Sequence, residues 1–301
     1  MEYNKAITDL AIGDAIEGFY LLRSAQSKIT STGKPFLILT LADRTGAVEG
    51  KVVKIRGNVG EYRGSVQITV DRIRLAAEGD PVDPASLVPE APIEKDAAMA
   101  EVRRYLASIQ DADYRAAAEE LLRRHERDFP LIPAAKSVHH GFRMGLLMHT
   151  GNMLKIADFL AGLYPEVIDR SLLLAGTFAH DLAKAREFQL SELGLATDYT
   201  AAGQLLGHLV MGAQEAAEVT KALGIPEEKG MLLQHLILSH HGEPEFGAAV
   251  RPACAEAELL SYIDGIDSRM EICREALAET EAGRFSERIF ALDGRRMYRH
   301  E

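Results

Sequence analysis

Seven residues carry most of the chemistry this sequence offers: His149, His180, Asp181, His208, His240, His241 and Asp264. Imidazole and carboxylate together suit divalent Zn, Mn, Fe or Co. The tightest grouping is His180-Asp181, which closes the apolar run 172–179, with Lys184 three residues beyond the Asp. The run reads as a buried helix, and a buried ionised carboxylate is costly unless something pairs it. A divalent cation would do so. On a helix His180 and Lys184 lie one turn apart and share a face. Alone, the dipeptide has a plainer explanation, a helix-end pair bonded to backbone.

The chain offers more. Upstream stands Gly145-Leu146-Leu147-Met148-His149-Thr150. Downstream come Leu206-Gly207-His208, Ser239-His240-His241-Gly242-Glu243 and Ile263-Asp264-Gly265-Ile266-Asp267. Each His or Asp falls at the end or middle of an apolar helical stretch. Intervals of roughly 20–30 residues fit one ligand per helix of a bundle. Five His and two Asp are enough for two metal spheres that share Asp181. Asp264 and Asp267 are three apart, so both could face one cavity. His235 has the wrong phase relative to His241 and reads as structural.

The pattern His149…His180-Asp181…Asp264 resembles the HD-domain metal-dependent phosphohydrolases. The added His208 and His240-His241 resemble its two-metal members. Ala135-Lys136-Ser137-Val138-His139-His140, Leu205-Leu206-Gly207-His208, Leu236-Ile237-Leu238-Ser239-His240-His241-Gly242 and Glu256-Ala257-Glu258-Leu259-Leu260 are similar to the YhaM-type 3′→5′ exoribonucleases. Those join an N-terminal OB-fold to an HD domain, and the resemblance covers nearly the whole chain. It implies two divalent ions, with Mn²⁺ favoured over Fe, Co, Mg or Zn. It implies that His149, His180, Asp181 and Asp264 hold one ion, while His208, His240 and His241 hold the other across Asp181. Lys184 and Asp181 would be catalytic, Lys184 by neutralising a phosphate oxygen; the competing reading of Lys184 is a salt bridge to Asp181. His139, His140 and Arg143 would contact substrate phosphate, and the polymer would be single-stranded RNA or DNA trimmed from its 3′ end to nucleoside monophosphates.

The elements that position these residues follow from patterning. Residues 1–78 hold short β-rich runs at 16–23, 36–41, 48–55 and 65–70, separated by turn signals at 32–35, 43–46 and 62–64. That fits a small barrel, and the resemblance selects the OB-fold. OB barrels bind single strands through a basic groove and aromatic stacking. Lys51, Lys54, Arg56, Arg63, Tyr62 and Tyr20 are the candidates, while Phe36 reads as core. The stretch Glu49-Gly50-Lys51 runs almost directly into the next strand, where the family has a longer segment, so either the barrel is trimmed or one edge differs.

Residues 79–92 hold four of the eleven prolines and read as an extended linker. From 93 to 301 the chain reads as an all-α HD domain, its core about 137–280. Helices are expected at 93–110, 113–129, 137–163, 200–223, 231–240 and 253–280. The last should bury Leu260, Ile263, Ile266 and Met270. Arg295, Arg296, Arg299 and His300 form a basic end that reads as solvated.

The net charge of −11 argues against indiscriminate nucleic-acid binding by the whole surface. Residues 1–80 carry 11 Lys and Arg against 10 Asp and Glu, leaving −12 on the remainder. A phosphate backbone is better accommodated on the N-terminal part. The start lacks a signal-type apolar stretch, and no run approaches the ~18 apolar residues of a membrane span. Cys254 and Cys273 lie on one expected helix and read as free thiols, which suits a reducing cytoplasm. Self-association through helices 93–129 stays open. Two rival functions also stay open: a phosphohydrolase of free nucleotides or cyclic dinucleotides, although the Gly-Tyr-Pro signature is absent, and a non-catalytic nucleic-acid-binding protein.

Overall fold

A computed structural model describes residues 2–29, 35–42, 51–62, 64–77, 79–82, 84–135, 141–191 and 194–301. The chain divides into two compact units, Met1–Glu90 with Leu190–Thr197, and Ala91–Gln189 with Asp198–Glu301.

The first unit is built on one sheet of β1 (Glu2–Tyr3), β2 (Ala15–Ile29), β3 (Pro35–Ala42), β4 (Lys51–Tyr62) and β5 (Ser65–Leu75). Strand order is β1-β2-β4-β5, with β3 also on β2. The long β2 serves two antiparallel partners. Its Ala15–Leu22 half pairs with β4 and its Leu21–Ile29 half with β3, and the register slips between Leu22 and Ser24. A bulge of this kind bends a strand, and a bent strand shared by two partners is OB-like. No pairing closes the sheet into a barrel among the described residues.

Inward residues alternate, as period two requires: Ile16 and Tyr20 on β2 pack with Val53, Ile55 and Val59 on β4. At Gly57 a Cβ would stand 2.4 Å from the Thr69 carbonyl oxygen, so only glycine admits the close approach of β5. A second small core joins Leu21, Ala42, Val88 and Leu195. Residues 79–90 are therefore not simply an extended connector: Pro84–Leu87 is a 3-10 turn and Val88 is buried. The expected turns at 43–46 and most of 32–35 fall outside the described residues.

The second unit is helical: α1 (Lys95–Ala107), α2 (Ala112–His125), α3 (Gly145–Leu163), α4 (Arg170–Ala179), α5 (Lys184–Glu187), α6 (Ala201–Ala222), α7 (Glu227–Ser239) and α8 (Ala255–Ala278). One small strand pair belongs to it, β8 (Arg284–Phe285) with β9 (Tyr298–Arg299); a second, β6 (Phe188–Leu190) with β7 (Ala196–Tyr199), lies where the chain enters and leaves the 190–197 segment of the first unit. Helix starts follow capping chemistry. Asp111 accepts from the Asp113 and Tyr114 amides, Asp169 from Ser171 and Leu172, and Thr200 from Gly203. The core runs through Leu106, Ile109, Leu146, Leu147, Leu173, Leu174, Leu233, Leu236, Leu260 and Ile263. Phe129 meets Phe178 edge-on at 5.6 Å.

Three expectations are corrected here. The helix expected from 137 starts at Gly145, because Met144 adopts a left-handed φ of 60° and the Arg143 carbonyl accepts from the Ala91 amide instead of opening a helical turn. The HD helix does not run through to Lys184: α4 ends at Ala179, and His180–Ala183 form a turn before α5. On α8 the apolar stripe is buried only at Leu260 and Ile263, whereas Ile266 and Met270 are exposed. No helix of the described residues is long and apolar enough to cross a membrane.

Candidate metal centre

Five helices or helix ends of the second unit aim side chains at one point. His149 comes from α3, His180 and Asp181 from the end of α4, His208 from α6, His240 and His241 from the end of α7, and Asp264 from α8. Gly176 lets α4 lie close to α7: a Cβ there would stand 2.2 Å from Leu236 Cδ2. Gly207 interrupts α6 with φ 71° and ψ 164°, immediately before His208.

Asp181 is the hub, and it is buried. Its Oδ2 lies 3.3 Å from His180 Nε2 and 3.9 Å from His149 Nε2. Its Oδ1 lies 3.3 Å from His208 Nε2 and 3.6 Å from His240 Nε2. Asp264 Oδ1 is 3.3 Å from His149 Nε2. Three triads have ligand atoms all within 4.8 Å of one another: His149, His180 and Asp264; His180, Asp181 and His240; and His208, His240 and His241. The seven residues singled out by spacing are thus brought together.

The backs of the rings are fixed as well. His149 Nδ1 is 2.7 Å from Asp267 Oδ2, and His208 Nδ1 is 3.0 Å from Glu187 Oε1. His180 and His240 place Nδ1 at 2.6 and 2.8 Å from the Thr177 and Ile237 carbonyls. Such outer partners set tautomer and ring orientation in metal sites. Asp264 and Asp267, equivalent by spacing, therefore take different positions, Asp264 at the ligand edge of His149 and Asp267 behind it. Glu187 carried no signal in the sequence; it sits in an ordinary charged run, Lys184-Ala185-Arg186-Glu187. His235 accepts from the Ala253 amide at 2.9 Å, a structural contact.

Several buried atoms at this point lack a hydrogen-bond partner among the described residues: His180 Nε2, Asp181 Oδ1, His208 Nε2 and His241 Nδ1. Buried polar groups are ordinarily satisfied, and a nitrogen-rich set with two carboxylates is what a first-row divalent ion accepts. The residues present fit such a group. Burial alone would favour neutral His149, but its hydrogen bonds to Asp264 and Asp267 outweigh this and raise its pKa to about 9. Burial works against an ionised Asp181, yet Lys184 and His180 hold its carboxyl well below the usual carboxylate range. His241 goes the other way: burial, with His240 and His208 beside it, lowers it to about 3. Lys184 Nζ lies 2.6 Å from Asp181 Oδ2, the salt bridge that is the competing reading of this lysine.

The remaining site residues separate. Arg143 is half-buried before α3, and His139 and His140 lie outside the described residues, as does Arg63. In the first unit Lys51, Arg56 and Tyr62 are exposed. Lys54 pairs with Glu17 at 2.7 Å and lies over the Tyr3 and Phe19 rings. Tyr20 is wholly buried, its hydroxyl donating to the Lys5 carbonyl, so it offers no stacking face. Phe36, expected in the core, is exposed on β3 because that strand is covered on neither face near its start. The sequence reading missed Arg72 and Arg74. They are register partners of Arg56 and Lys54, so four cations share one face of the sheet, Arg74 paired with Asp80 at 2.6 Å as Lys54 is with Glu17. The alternation Arg72-Ile73-Arg74 carried that signal.

Residues 146–269 match the family model of the HD domain. The chain is 36% identical to the 3′-5′ exoribonuclease YhaM of Geobacillus sp. (strain WCH70), an alignment covering 98% of this chain and 95% of the relative. No solved structure matches.

Proposed function

The chain belongs to the YhaM-type HD-domain family of metal-dependent 3′-5′ exoribonucleases, and we propose that its His/Asp centre releases nucleoside monophosphates from the 3′ end of single-stranded RNA. The observation that carries this assignment is the division of Asp181. One oxygen faces His149 and His180, the other His208 and His240. Asp181 would thus be shared by two sets of residues that would hold cations, with Asp264 in the first set and His241 in the second.

Divalent ions bound there, Mn²⁺ in our reading, would acidify water and withdraw charge from the phosphate oxygens. The protein's own groups do the rest. Four of the five imidazoles are held from behind, His149 by Asp267, His208 by Glu187, and His180 and His240 by carbonyls, which limits reorganisation on binding. Lys184 keeps an ammonium beside Asp181, and burial is outweighed by that carboxylate, which raises its pKa. A cation held there neutralises a non-bridging phosphate oxygen at the terminal linkage. The four-cation face of Lys54, Arg56, Arg72 and Arg74 is suited to the upstream phosphates.

The test is a time course with Mn²⁺ on RNA labelled at either end, with single-stranded DNA alongside. The 3′ label should appear at once as mononucleotide and the 5′ label as a shortening ladder. Asp181→Ala should lose both bound metal and cleavage. Asp264→Asn should deplete metal more than Asp267→Asn. Full metal content and activity in Asp181→Ala, or release of the 5′ label first, sinks the assignment.

A further inference from the structure

The C-terminal segment, which reads as a solvated basic end, is a built element of the second unit. β8 and β9 pair Arg284 with Arg299 and Phe285 with Tyr298. Ser286 is buried; its amide donates to the Met297 carbonyl and its hydroxyl accepts from the Met297 amide. Leu292 is buried, and the chain reverses through left-handed Asp293 and Gly294. Arg299 ties the hairpin to the end of α8, donating to the Thr280 carbonyl at 2.6 Å and the Leu277 carbonyl at 3.3 Å.

What this element presents outward is unusual for a chain of net charge −11. Residues 284–299 hold five Arg against Glu287 and Asp293. Arg295 and Arg296 each spend Nε on a backbone carbonyl, Leu292 and Ser286 respectively. That fixes the guanidinium planes at the exposed surface, where one terminal nitrogen of Arg295 also lies 3.5 Å from Asp293 Oδ2. A guanidinium held this way loses less freedom when it meets a phosphate. Arg284 and Arg288 are exposed and make no ion pair among the described residues. Between the cations lie rings without a core to join. Phe285 and Tyr298 sit 5.1 Å apart, 57% and 51% exposed, and Phe290 is 93% exposed. Ring faces interleaved with arginines are how sequence-tolerant single-strand surfaces are made, by stacking bases and pairing phosphates.

We propose that the 284–299 hairpin is a second single-stranded RNA platform, holding the strand upstream of the terminal nucleotide. It rests on the exonuclease reading for the position of the 3′ end. Asp264 and the last residue of α8 are 14 positions apart, about 21 Å along the helix axis. Short oligonucleotides at the metal centre would not span that distance, and longer ones would. The charge complementarity selects a polyanion, and the exposed rings select one with unpaired bases.

The full-length protein is compared with Arg284→Gln/Arg288→Gln and with Phe290→Ala. These side chains are exposed, and thermal unfolding should be unchanged. Binding of a fluorescent, 3′-blocked RNA of about 20 nucleotides is read by anisotropy across a salt series. Phe290→Ala should weaken binding about tenfold. The double Arg variant should flatten the log–log salt slope by about 0.7 for each phosphate it no longer neutralises. KM for the unblocked RNA should rise in step, while turnover of a trinucleotide stays at the wild-type level. Wild-type affinity and slope in both variants overturn the proposal. So does an equal loss on the trinucleotide, which would place the effect at the metal centre. RNA binding that weakens as expected, in a protein that cleaves no RNA, would refute the exonuclease reading and leave this one standing.

Discussion

Glu187 should control metal affinity at the His208 side of the centre without touching an ion. Its Oε1 accepts from both the His208 amide at 2.9 Å and Nδ1 at 3.0 Å, and it is buried. Its own backbone is pinned, since a Cβ on Gly203 would stand 2.3 Å from the Glu187 carbonyl oxygen. Glu187→Gln keeps the shape and removes the charge. A charge-assisted hydrogen bond contributes about 1.5–3 kcal/mol and a neutral one about 0.5–1.5. The difference, about 1–1.5 kcal/mol, is roughly tenfold in affinity. Glu187→Ala also leaves a buried His208 amide without an acceptor, and should approach the roughly 100-fold upper end for outer-shell losses. Calorimetric titration of Mn²⁺ into chelator-stripped protein reads this directly. One class of sites should weaken, that of His208, His240 and His241, while the His149 class holds its affinity. A Glu187→Ala isotherm superimposable on wild type, in protein with an unchanged unfolding temperature, would refute the reasoning.

Two further outcomes follow from packing and charge. Gly176→Ala should destabilise by about 1–3 kcal/mol through overpacking against Leu236; in denaturant unfolding, Gly176→Ala/Leu236→Ala should cost clearly less than the sum of the single changes. Additive costs would mean the α4–α7 contact is not the constraint. Lys229 Nζ lies 2.6 Å from both Asp111 and Asp113, and its hydrogen bond holds the Asp111 carboxyl below its ordinary value. A depressed carboxylate stabilises above its unfolded pKa of about 3.9, and that contribution is lost as pH falls through the folded value. Lys229→Met should therefore lower stability at pH 7, and the gap to wild type should narrow as pH falls below the ordinary carboxylate range in urea titrations. A gap that does not narrow as the carboxylates protonate would assign the loss to something other than the ion pair.

The candidate metal centre is largely legible in the sequence because its candidate ligands are chemically distinctive and recur one to a helix. His149, His180, Asp181, His208, His240, His241 and Asp264 needed only the helices to converge. Their supports were not readable. Glu187 is one carboxylate among 45 acidic residues, and nothing local marks the long-range bond to His208. Spacing could not separate Asp264 from Asp267, because a three-residue step on a helix turns only about 60° short of a full circle. That distinction lives in which nitrogen of His149 each carboxylate reaches. The pattern Val138, Phe142, Gly145 continues through Met144 and so sets the start of α3 too early, because Met144 is left-handed and the Arg143 carbonyl before it accepts from the Ala91 amide. The strands of the first unit were found but drawn too short: β2 and β4 reach 15 and 12 residues because each has sheet neighbours along most of its length. Phe36 and Tyr20 exchanged roles, the one exposed and the other buried, since alternation gives a face but not which face is covered.

Residues 190–197 leave the helical part of the sequence and join the sheet unit, where Leu195 is wholly buried with Leu21, Ala42 and Val88. The two halves are therefore not interchangeable cassettes. A fragment cut after Glu90 would carry Leu195 bared to water, forfeiting about 1.5–3 kcal/mol of burial and gaining a sticky loop. Conversely, residues 1–90 alone would leave a notch where that leucine belongs. Sequence that is borrowed across a boundary in this way couples the inheritance of both parts: a graft of either onto another protein must bring the eight-residue loan with it.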